Sequence, residues 1–412
     1  MLFTDPNDNP AEPIESGLPR IGYVTIEDIR TWRKWPINEV GHISNAYTLA
    51  SVIREQGFPL EYLGPMPMES DLFTHLKAKI SGRIFGKRIL KHVEPTMLQR
   101  QADNIVRKLS RVPVDVLVGN NSRPFAKLKT DLPIIVWRDA TFAGALSVHR
   151  DFKNVSSRSI RLGHEMEKAA LERCAITIFR SQWAADDAIN HYGVDPAKVR
   201  ILPTGGNMRS TRPRQFISDA IASRSPQCCE LLFVGVDWKG KGGHVALEIT
   251  RRLAHSGMNV RLTIVGARLK TSENLPANTR IEGFIDMQTT DGHLLFEKLL
   301  AESHFLIFPS RVDTYGNVLP EANAFGVPCL ASDNAGIPTI IRNDINGHVF
   351  SLASDDEAAG YCDYIESMMT NHEQYRTLAH STYNDYLTRL SWDVVGPQFR
   401  TIVQQVYENH HR

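Results

Sequence analysis

Short apolar runs alternate with amphipathic stretches along most of this chain, and the alternation begins twice. In the first half, RIGYVTI, VDVLVG, LPIIVW and AITIFRS predict buried strands, and the stretches between them have the apolar spacing of helices. After residue 230 the alternation begins again with LLFVGV, NVRLTIVG and HFLIFPS. Strands that alternate with helices form parallel sheets flanked by helices. The sequence therefore predicts an α/β fold of two Rossmann-like, doubly wound domains that face a central cleft.

The length of the chain agrees with two domains. It has 412 residues, 42% of them hydrophobic, which is enough to form two separate cores. Between the two series of strands, residues 208–230 are polar, basic and weakly periodic, which is typical of a linker. We therefore predict an N-terminal domain at 1–207, a linker at 208–230 and a C-terminal domain at 231–391.

The composition excludes several classes of protein. The formal net charge is +1, so the chain as a whole does not attract nucleic acid. Its five cysteines lack metal-ligand spacing, and we expect neither a disulfide framework nor a metal site. The N-terminal stretch is acidic and rich in proline, unlike a signal peptide, and no apolar run has the length of a membrane span. These features predict a cytoplasmic protein.

Two acids flank a glycine-containing turn in DTYGNVLPEANAFGVP, which covers residues 313–328. Asp313 comes just after the apolar run HFLIFPS, and ligands of parallel sheets bind at the carboxyl ends of strands. A helix should begin near Asn317 or Val318, since Pro320 is tolerated in a first turn, where its missing N–H would have no partner. The pattern predicts a ligand site between a strand and a short helix.

The start of that helix is suited to an anion. The N–H groups of Gly316, Asn317 and Val318 carry the positive end of the helix dipole, so a phosphate can bind there. Glu321 lies about one turn inside the helix and can direct its carboxylate at hydroxyl groups. A simpler alternative makes Asp313 a solvated loop residue and Glu321 a partner of the helix dipole.

The longer stretch FPSRVDTYGNVLPEANAFGVPCLASDNAGIP resembles the nucleotide-sugar-binding signature of a known family. This family is the retaining glycosyltransferases of family 4 (glycosyl transferases group 1), which have the GT-B fold. Its pattern is an acid, seven residues and a Glu, followed by an Ala-rich helix and Gly-x-Pro. Residues 171–207, 231–249 and 390–407 are also similar to segments of the family, in the same order.

The resemblance implies a role for each part of the signature. Asp313 would lie by the donor sugar, Glu321 would bind the ribose hydroxyls, and the turn amides would face the sugar and the diphosphate. Residues 392–412 would form a final helix that crosses back to the N-terminal domain. Enzymes of this type usually need no metal and no cofactor, so the nucleotide sugar itself is the expected ligand.

The loop VGVDWKGKGG, which precedes a predicted helix, has two interpretations. Gly235 to Lys241 spells G-x-x-x-x-G-K, which is nearly a P-loop, but Gly242 replaces the Ser or Thr whose hydroxyl binds Mg²⁺. The resemblance instead implies that Lys241 neutralises the donor diphosphate. A solvated lysine in a glycine-rich turn is the remaining alternative.

Several positions depart from the family pattern. Val236 stands where members often have an Arg on the diphosphate, with Lys239 as a candidate substitute, and Thr339 stands where many have Glu. The opening Gly-Gly loop of many members is reduced to NEVGHISNA. There we predict that Gly41 approaches the diphosphate, while His42 either faces the acceptor or begins a helix.

Asp139, after the strand LPIIVW, matches the position of a His that many members place at the reacting centre. A carboxylate there can accept a sugar or acceptor hydroxyl and balance a developing positive charge. Pairing of Asp139 with Arg138, or the capping of a turn, is the alternative. The predicted catalytic residues are therefore Asp139, Lys241 and Asp313.

Residues 75–93, HLKAKISGRIFGKRILKHV, contain six Lys or Arg and no acid, with Leu, Ile and Phe between them. Such a stretch can bind anionic lipid head groups, which would place the protein at the inner membrane surface. A solvated helix face is the simpler interpretation, and two internal glycines weaken any long helix.

Together these features predict a retaining glycosyltransferase that moves a sugar from a nucleotide diphosphate donor to a hydroxyl of a glycan, lipid-linked or small-molecule acceptor. Three alternatives stay open. A same-fold epimerase or phosphorylase would use the nucleotide site differently, a non-catalytic nucleotide-sugar-binding protein would bind without turnover, and a P-loop NTPase would hydrolyse ATP or GTP.

Overall fold

A computed structural model describes residues 17–31, 40–68, 72–149, 152–209, 212–267, 269 and 275–412. These residues fall into two compact units. The C-terminal unit is Pro203–Val394. The N-terminal unit is the described part of Thr4–Leu202 together with Val395–Arg412.

The N-terminal unit contains a six-stranded sheet in which all neighbouring strands pair in parallel. The described strands are β1 (Ile21–Val24), β2 (Leu60–Tyr62), β3 (Val116–Gly119), β4 (Ile134–Arg138), β5 (Ile176–Phe179) and β6 (Val199–Ile201). Their order is β2-β1-β3-β4-β5-β6, so the direction of winding reverses at β1.

Helices follow most of these strands, as the alternation of apolar runs predicts. They are α1 (Val40–Glu55), α2 (Leu72–Phe85), α3 (Pro95–Leu109), α4 (Phe142–Val148), α5 (Ser157–Arg173) and α6 (Gln182–Tyr192). The central strands β3 and β4 are short, apolar and buried, while α3 and α5 bury one side only. This division between buried strands and half-buried helices is typical of a parallel α/β sheet.

The C-terminal unit repeats this architecture with a second six-stranded parallel sheet. Its described strands are β7 (Cys229–Val234), β8 (Val260–Val265), β9 (Thr279–Gly283), β10 (Phe305–Phe308), β11 (Cys329–Ser332) and β12 (Gly347–Phe350). The order is β12-β11-β10-β7-β8-β9. Because β8 and β10 lie on opposite sides of β7, the order in which strands are added to the sheet reverses between β7 and β10.

The helices of this unit are α7 (Arg214–Ser223), α8 (Gly243–His255), α9 (Thr290–Glu302), α10 (Val318–Asn323), α11 (Ile337–Ile340), α12 (Ala359–Thr370) and α13 (His372–Asp385). The last helix, α14 (Trp392–His410), begins in the C-terminal unit and belongs to the N-terminal unit from Val395 onward. There Phe399 stacks on Trp137 with ring centroids 5.1 Å apart. The predicted pair of doubly wound parallel sheets is confirmed.

The segment predicted as a linker, residues 208–230, differs from that prediction. It contains α7, and Ile217 and Ile221, one helical turn apart, are completely buried in the core of the C-terminal unit. Arg224 is also buried, because its guanidinium donates hydrogen bonds of 2.6 Å and 2.8 Å to the carbonyls of Gly326 and Phe325. The described part of this segment therefore belongs to the C-terminal unit and is not an extended connection.

None of the helices in the described ranges is long and apolar enough to cross a membrane.

Candidate functional site

The candidate site lies at the carboxyl ends of β7 and β10, two neighbouring strands of the C-terminal unit. Phe305 and Leu306 of β10 pair with Leu231 and Leu232 of β7. The strand order reverses between them, and ligands of open α/β sheets bind at such a point. The two loops that leave these strands carry the residues that the sequence singles out, Lys241 and Asp313.

The loop after β7 brings a lysine back over the strand end. A Cβ atom on Gly235 would lie 2.7 Å from Cγ of Lys241, so only glycine leaves room for that side chain to pass. The Lys241 N–H donates to the carbonyl of Asp237 (2.8 Å) and closes the loop before α8 begins. The carbonyl of Gly240 accepts a hydrogen bond from the N–H of Arg311 (3.0 Å), which ties this loop to the loop after β10.

Lys241 and Asp313 form an ion pair between Nζ and Oδ1. The other carboxylate oxygen of Asp313 accepts a hydrogen bond from Ser310 Oγ (2.5 Å), and Lys241 Nζ lies 5.5 Å from the centroid of the Phe308 ring. The side chains retain 23% and 14% of their exposure, so neither is fully buried. The pair combines a positioned cation and a positioned carboxylate at the switch point of the sheet.

The short helix after this loop begins at Val318, with Asn317 at its N-cap. Gly316, which precedes them, is buried and has a φ of +89°, a conformation that favours glycine. The structure thus places the three predicted turn residues in one tight connection between β10 and α10. Asp313 stands before this connection and Glu321 inside the helix.

Glu321 makes two hydrogen bonds to the backbone of the segment that opens the C-terminal unit. Its Oε1 accepts from the N–H groups of Asn207 (2.8 Å) and Met208 (3.1 Å). A Cβ atom on Gly206 would lie only 2.1 Å from Glu321 Cγ, so this approach requires glycine. Glu321 therefore has a structural role, in addition to any role in binding.

Two aromatic residues fix the same segment, and neither was predicted from the sequence. The hydroxyl of buried Tyr315 donates to the carbonyl of Thr204 (2.8 Å) and accepts from its N–H (2.7 Å). Nε1 of Trp392 donates to the carbonyl of Gly206 (3.0 Å). The paired glycines of PTGGN, directly after β6, are the sequence signal for this close packing.

Two predicted residues, Gly41 and Asp139, belong to the N-terminal unit. Gly41 is the second residue of α1, and Asp139 follows β4 directly. The side chain of His42 lies outside the described residues. The structure therefore brings together Lys241, Asp313 and the α10 residues, while Gly41 and Asp139 are placed only within their own unit.

The residue before Asp139 is part of a buried network. Nη1 of Arg138 contacts Oε1 of Glu167 at 2.5 Å and Oγ of Ser122 at 2.5 Å. Ser122 donates in turn to the other carboxylate oxygen of Glu167 at 2.7 Å, and Glu167 is completely buried. Glu167 is thus the carboxylate that balances Arg138.

The positions that depart from the family pattern lie in the loop after β7 and in α11. Val236 and Lys239 are exposed in the loop after β7. Thr339 is in α11, where its carbonyl accepts a hydrogen bond from Arg389 (2.9 Å).

Among the described residues, no group of three His, Cys, Asp or Glu is arranged to hold a metal ion.

Two family models match the chain. The model described as Glycosyltransferase Family 4 matches residues 45–208, and the model described as Glycosyl transferases group 1 matches residues 226–385. Together they cover most of the sequence. The second match contains Lys241, Asp313 and Glu321.

Curated relatives are distant. The D-inositol 3-phosphate glycosyltransferase of Streptomyces bingchenggensis is 23% identical over 61% of this chain and 56% of its own length. The N-acetyl-alpha-D-glucosaminyl L-malate synthase of Bacillus anthracis is 26% identical over 26% of this chain and 28% of its own. The chain spans about half the length of the first curated relatives that it matches.

Solved structures match over nearly the whole chain. Sucrose-phosphate synthase from Thermosynechococcus elongatus has a TM-score of 0.66 at 14% identity, covering 95% of this chain and 100% of its own. WaaG, a glycosyltransferase of lipopolysaccharide biosynthesis, has a TM-score of 0.56 at 16% identity, covering 93% and 99%. Anabaena HepE, solved with UDP and glucose, has a TM-score of 0.58 at 13% identity, covering 94% and 99%. These likenesses show the GT-B fold.

Proposed function

This chain belongs to the group 1 glycosyltransferases of family 4, and on that premise we propose that it transfers a sugar from a nucleotide diphosphate sugar to an acceptor hydroxyl. The observation that carries the proposal is the accessible Lys241–Asp313 ion pair at the carboxyl ends of β7 and β10. A cation there suits a diphosphate, and a carboxylate beside it suits sugar hydroxyls. The anomeric configuration is retained, as the resemblance to the family implies.

Lys241 acts on the leaving group. When the bond between the anomeric carbon and the diphosphate oxygen breaks, negative charge grows on that oxygen. The ammonium of Lys241 and the N–H groups of Gly316, Asn317 and Val318 stabilise this charge better than that of the intact donor. The new bond forms between the same carbon and the acceptor oxygen, and the acceptor proton passes to an oxygen of the leaving diphosphate on the same face. No covalent nucleophile is needed.

The ion pair has to exchange a partner before this can happen. In the structure, Lys241 is neutralised by Asp313. Donor binding gives Lys241 a diphosphate partner and turns the Asp313 carboxylate to the hydroxyls of the donor sugar. Because both side chains are partly exposed, this exchange does not bury an unpaired charge.

Glu321 contributes to nucleotide binding through its position in α10. Its Oε1 already accepts two backbone N–H groups. A carboxylate has two oxygens and about four acceptor sites, so ribose hydroxyls can donate to it without displacing the backbone. We assign it the ribose, and this assignment rests on the family resemblance.

The remaining predictions belong to the same proposal. Gly41 approaches the diphosphate from the N-terminal unit, and Asp139 accepts a hydroxyl near the reacting centre. The donor to test first is a uridine diphosphate sugar, because the structural neighbour HepE was solved with UDP and glucose. No metal is required, and the cytoplasmic location stays a prediction.

Transfer is tested with a labelled donor and two lysine variants of the C-terminal unit. Lys241→Ala should lower transfer about a hundredfold, because it removes a charge from the leaving group. Lys298→Ala, an exposed lysine of α9 that pairs with Glu302, should keep the wild-type rate. Product analysis separates a glycoside from an epimerised donor or a sugar phosphate. Nucleotide binding without turnover on any acceptor would show a binding protein instead. Equal transfer rates for the two lysine variants would show that Lys241 does not act on the leaving group.

A further inference from the structure

Helix α2 of the N-terminal unit exposes an apolar stripe to solvent. Leu76, Ile80 and Ile84 are spaced four residues apart and therefore lie on one face of the helix. They are 54%, 45% and 68% exposed, and Phe85 at the end of the helix is 70% exposed. Single exposed apolar residues are ordinary, but four of them on one short helix mark an interaction surface.

Positive charge borders the stripe on both sides. With 100° between successive helical residues, Lys77 lies on one side of the stripe, and Lys79 and Arg83 lie on the other. Lys87 and Arg88 extend the charge beyond the helix, and both are exposed. The sequence has no Asp or Glu from residue 72 to residue 93, so no acid within this stretch offsets these cations.

The opposite side of α2 and the turn that follows hold this surface in place. Thr74 is buried, and Ala78 and Ser81 on the same side are half-buried. The helix continues through Gly82 and ends at Phe85, before Gly86, which has a φ of +60°. Ser81 Oγ then donates to the carbonyl of Lys87 (2.9 Å), and the N–H of Arg88 donates to the carbonyl of Asn154 (2.8 Å).

We propose that α2 and residues 86–88 bind the surface of an anionic phospholipid membrane. The apolar stripe enters the boundary between head groups and acyl chains, and the aliphatic stems of the flanking cations follow it while their charges reach lipid phosphates. A membrane fits better than an acidic protein, because the charges have one sign along the whole helix and border the stripe on both sides. Binding of this kind needs neither donor nor turnover, so it goes beyond the proposed transfer reaction.

Flotation of the full chain with lipid vesicles tests the proposal. The protein should float with vesicles of phosphatidylcholine and phosphatidylglycerol, much less with phosphatidylcholine alone, and less at high salt. Each cation near an anionic surface changes the affinity about fivefold, so Lys79→Gln/Arg83→Gln/Lys87→Gln should weaken binding roughly a hundredfold. Leu76→Ser/Ile80→Ser/Ile84→Ser should weaken it at least about tenfold, because the apolar contact is lost.

A matched control comes from α9 of the other unit. Leu294 and Lys298 are also exposed on a helix, and Leu294→Ser/Lys298→Gln should bind vesicles as the wild type does. Melting temperatures within the wild-type range would show that the surface variants are folded. Failure of the wild-type protein to float with anionic vesicles would overturn the proposal. So would equal binding to neutral and anionic vesicles, or binding that survives both triple substitutions.

Discussion

The two units carry charged residues at the carboxyl ends of their central strands, but they treat these charges differently. In the C-terminal unit, Lys241 and Asp313 pair between β7 and β10 and keep 23% and 14% of their exposure. In the N-terminal unit, Arg138 at the end of β4 keeps 15% of its exposure, but its partner Glu167 is completely buried. An accessible pair can give up one partner to a ligand, whereas a buried pair cannot without leaving a charge unpaired.

This difference shows that sheet topology places the charged residues but does not determine how deeply they are buried. Both sheets are parallel, and the strand order of each reverses inside the sheet. Both therefore place loops at the edge where ligands bind. Burial then decides whether a charged pair at that edge stabilises the unit or remains available for binding. Fold alone does not distinguish these outcomes, and the side chains do.

Removing Glu167 breaks the buried pair and should change stability most. Glu167→Ala should lower the free energy of unfolding by about 3–5 kcal/mol, because Arg138 would lose the carboxylate that neutralises it. Glu165→Ala on the same helix is the control, since Glu165 is exposed and pairs with Arg161 at the surface; it should cost less than about 1 kcal/mol. Urea unfolding measures both, and equal midpoints for the two variants would show that the N-terminal pair is not a structural one.

Variants of Glu321 test whether a residue close to the accessible pair also stabilises the C-terminal unit. Glu321→Ala leaves the N–H groups of Asn207 and Met208 without their acceptor and should cost about 1–3 kcal/mol of stability. Glu321→Gln keeps an acceptor oxygen but removes the charge. It should raise the KM for the donor severalfold with little change in melting temperature. A stability loss in the Gln variant as large as in the Ala variant would mean that the charge itself holds the segment.

A pH dependence is expected from a buried histidine in the core of the C-terminal unit. Burial lowers the pKa of His304 to about 3, and its ring accepts a hydrogen bond from the N–H of Glu230 (3.1 Å). The unfolded chain, with an ordinary histidine pKa near 6.5, then binds the proton first. The stability from neutral His304 is complete above pH 6.5 and falls towards pH 3, with a slope of up to about 1.4 kcal/mol per pH unit.

Urea unfolding at a series of pH values measures that slope. His304→Asn should flatten the curve between about pH 6.5 and pH 3 while the acidic limb due to carboxylates remains. An unchanged slope in the variant would place the acid sensitivity elsewhere. In that case the stability of the C-terminal unit would not depend on keeping His304 neutral.

Local signals in the sequence were sufficient for the sheets and for the start of α10. Short apolar runs predicted the central strands, and the glycine and proline around Val318 predicted a helix that begins there. The sequence also identified Lys241 and Asp313 separately, as residues that follow strands. Their ion pair could not be predicted from spacing, because it depends on β7 and β10 being neighbours in the sheet.

Other features were missed because their partners are distant or are backbone atoms. The polar segment 208–230 reads as a linker, although Arg224 binds carbonyls inside the core. Glu321 reads as a ligand-binding acid, although it also holds the backbone of residues 207 and 208, more than a hundred positions away. Neither contact leaves a periodic pattern in the sequence.

Isothermal titration calorimetry measures whether Lys241 exchanges Asp313 for the diphosphate of a bound nucleotide. The ligand is the nucleoside diphosphate that the wild-type protein binds most tightly, and the proteins compared are wild type, Lys241→Ala and Asp313→Asn. Lys241→Ala should bind it at least about tenfold more weakly, because a charged hydrogen bond to the diphosphate is lost. Asp313→Asn should bind it severalfold more tightly, because the competing carboxylate is gone. Unchanged affinity in Lys241→Ala, or an Asp313→Asn variant weakened as much as Lys241→Ala, would contradict the account.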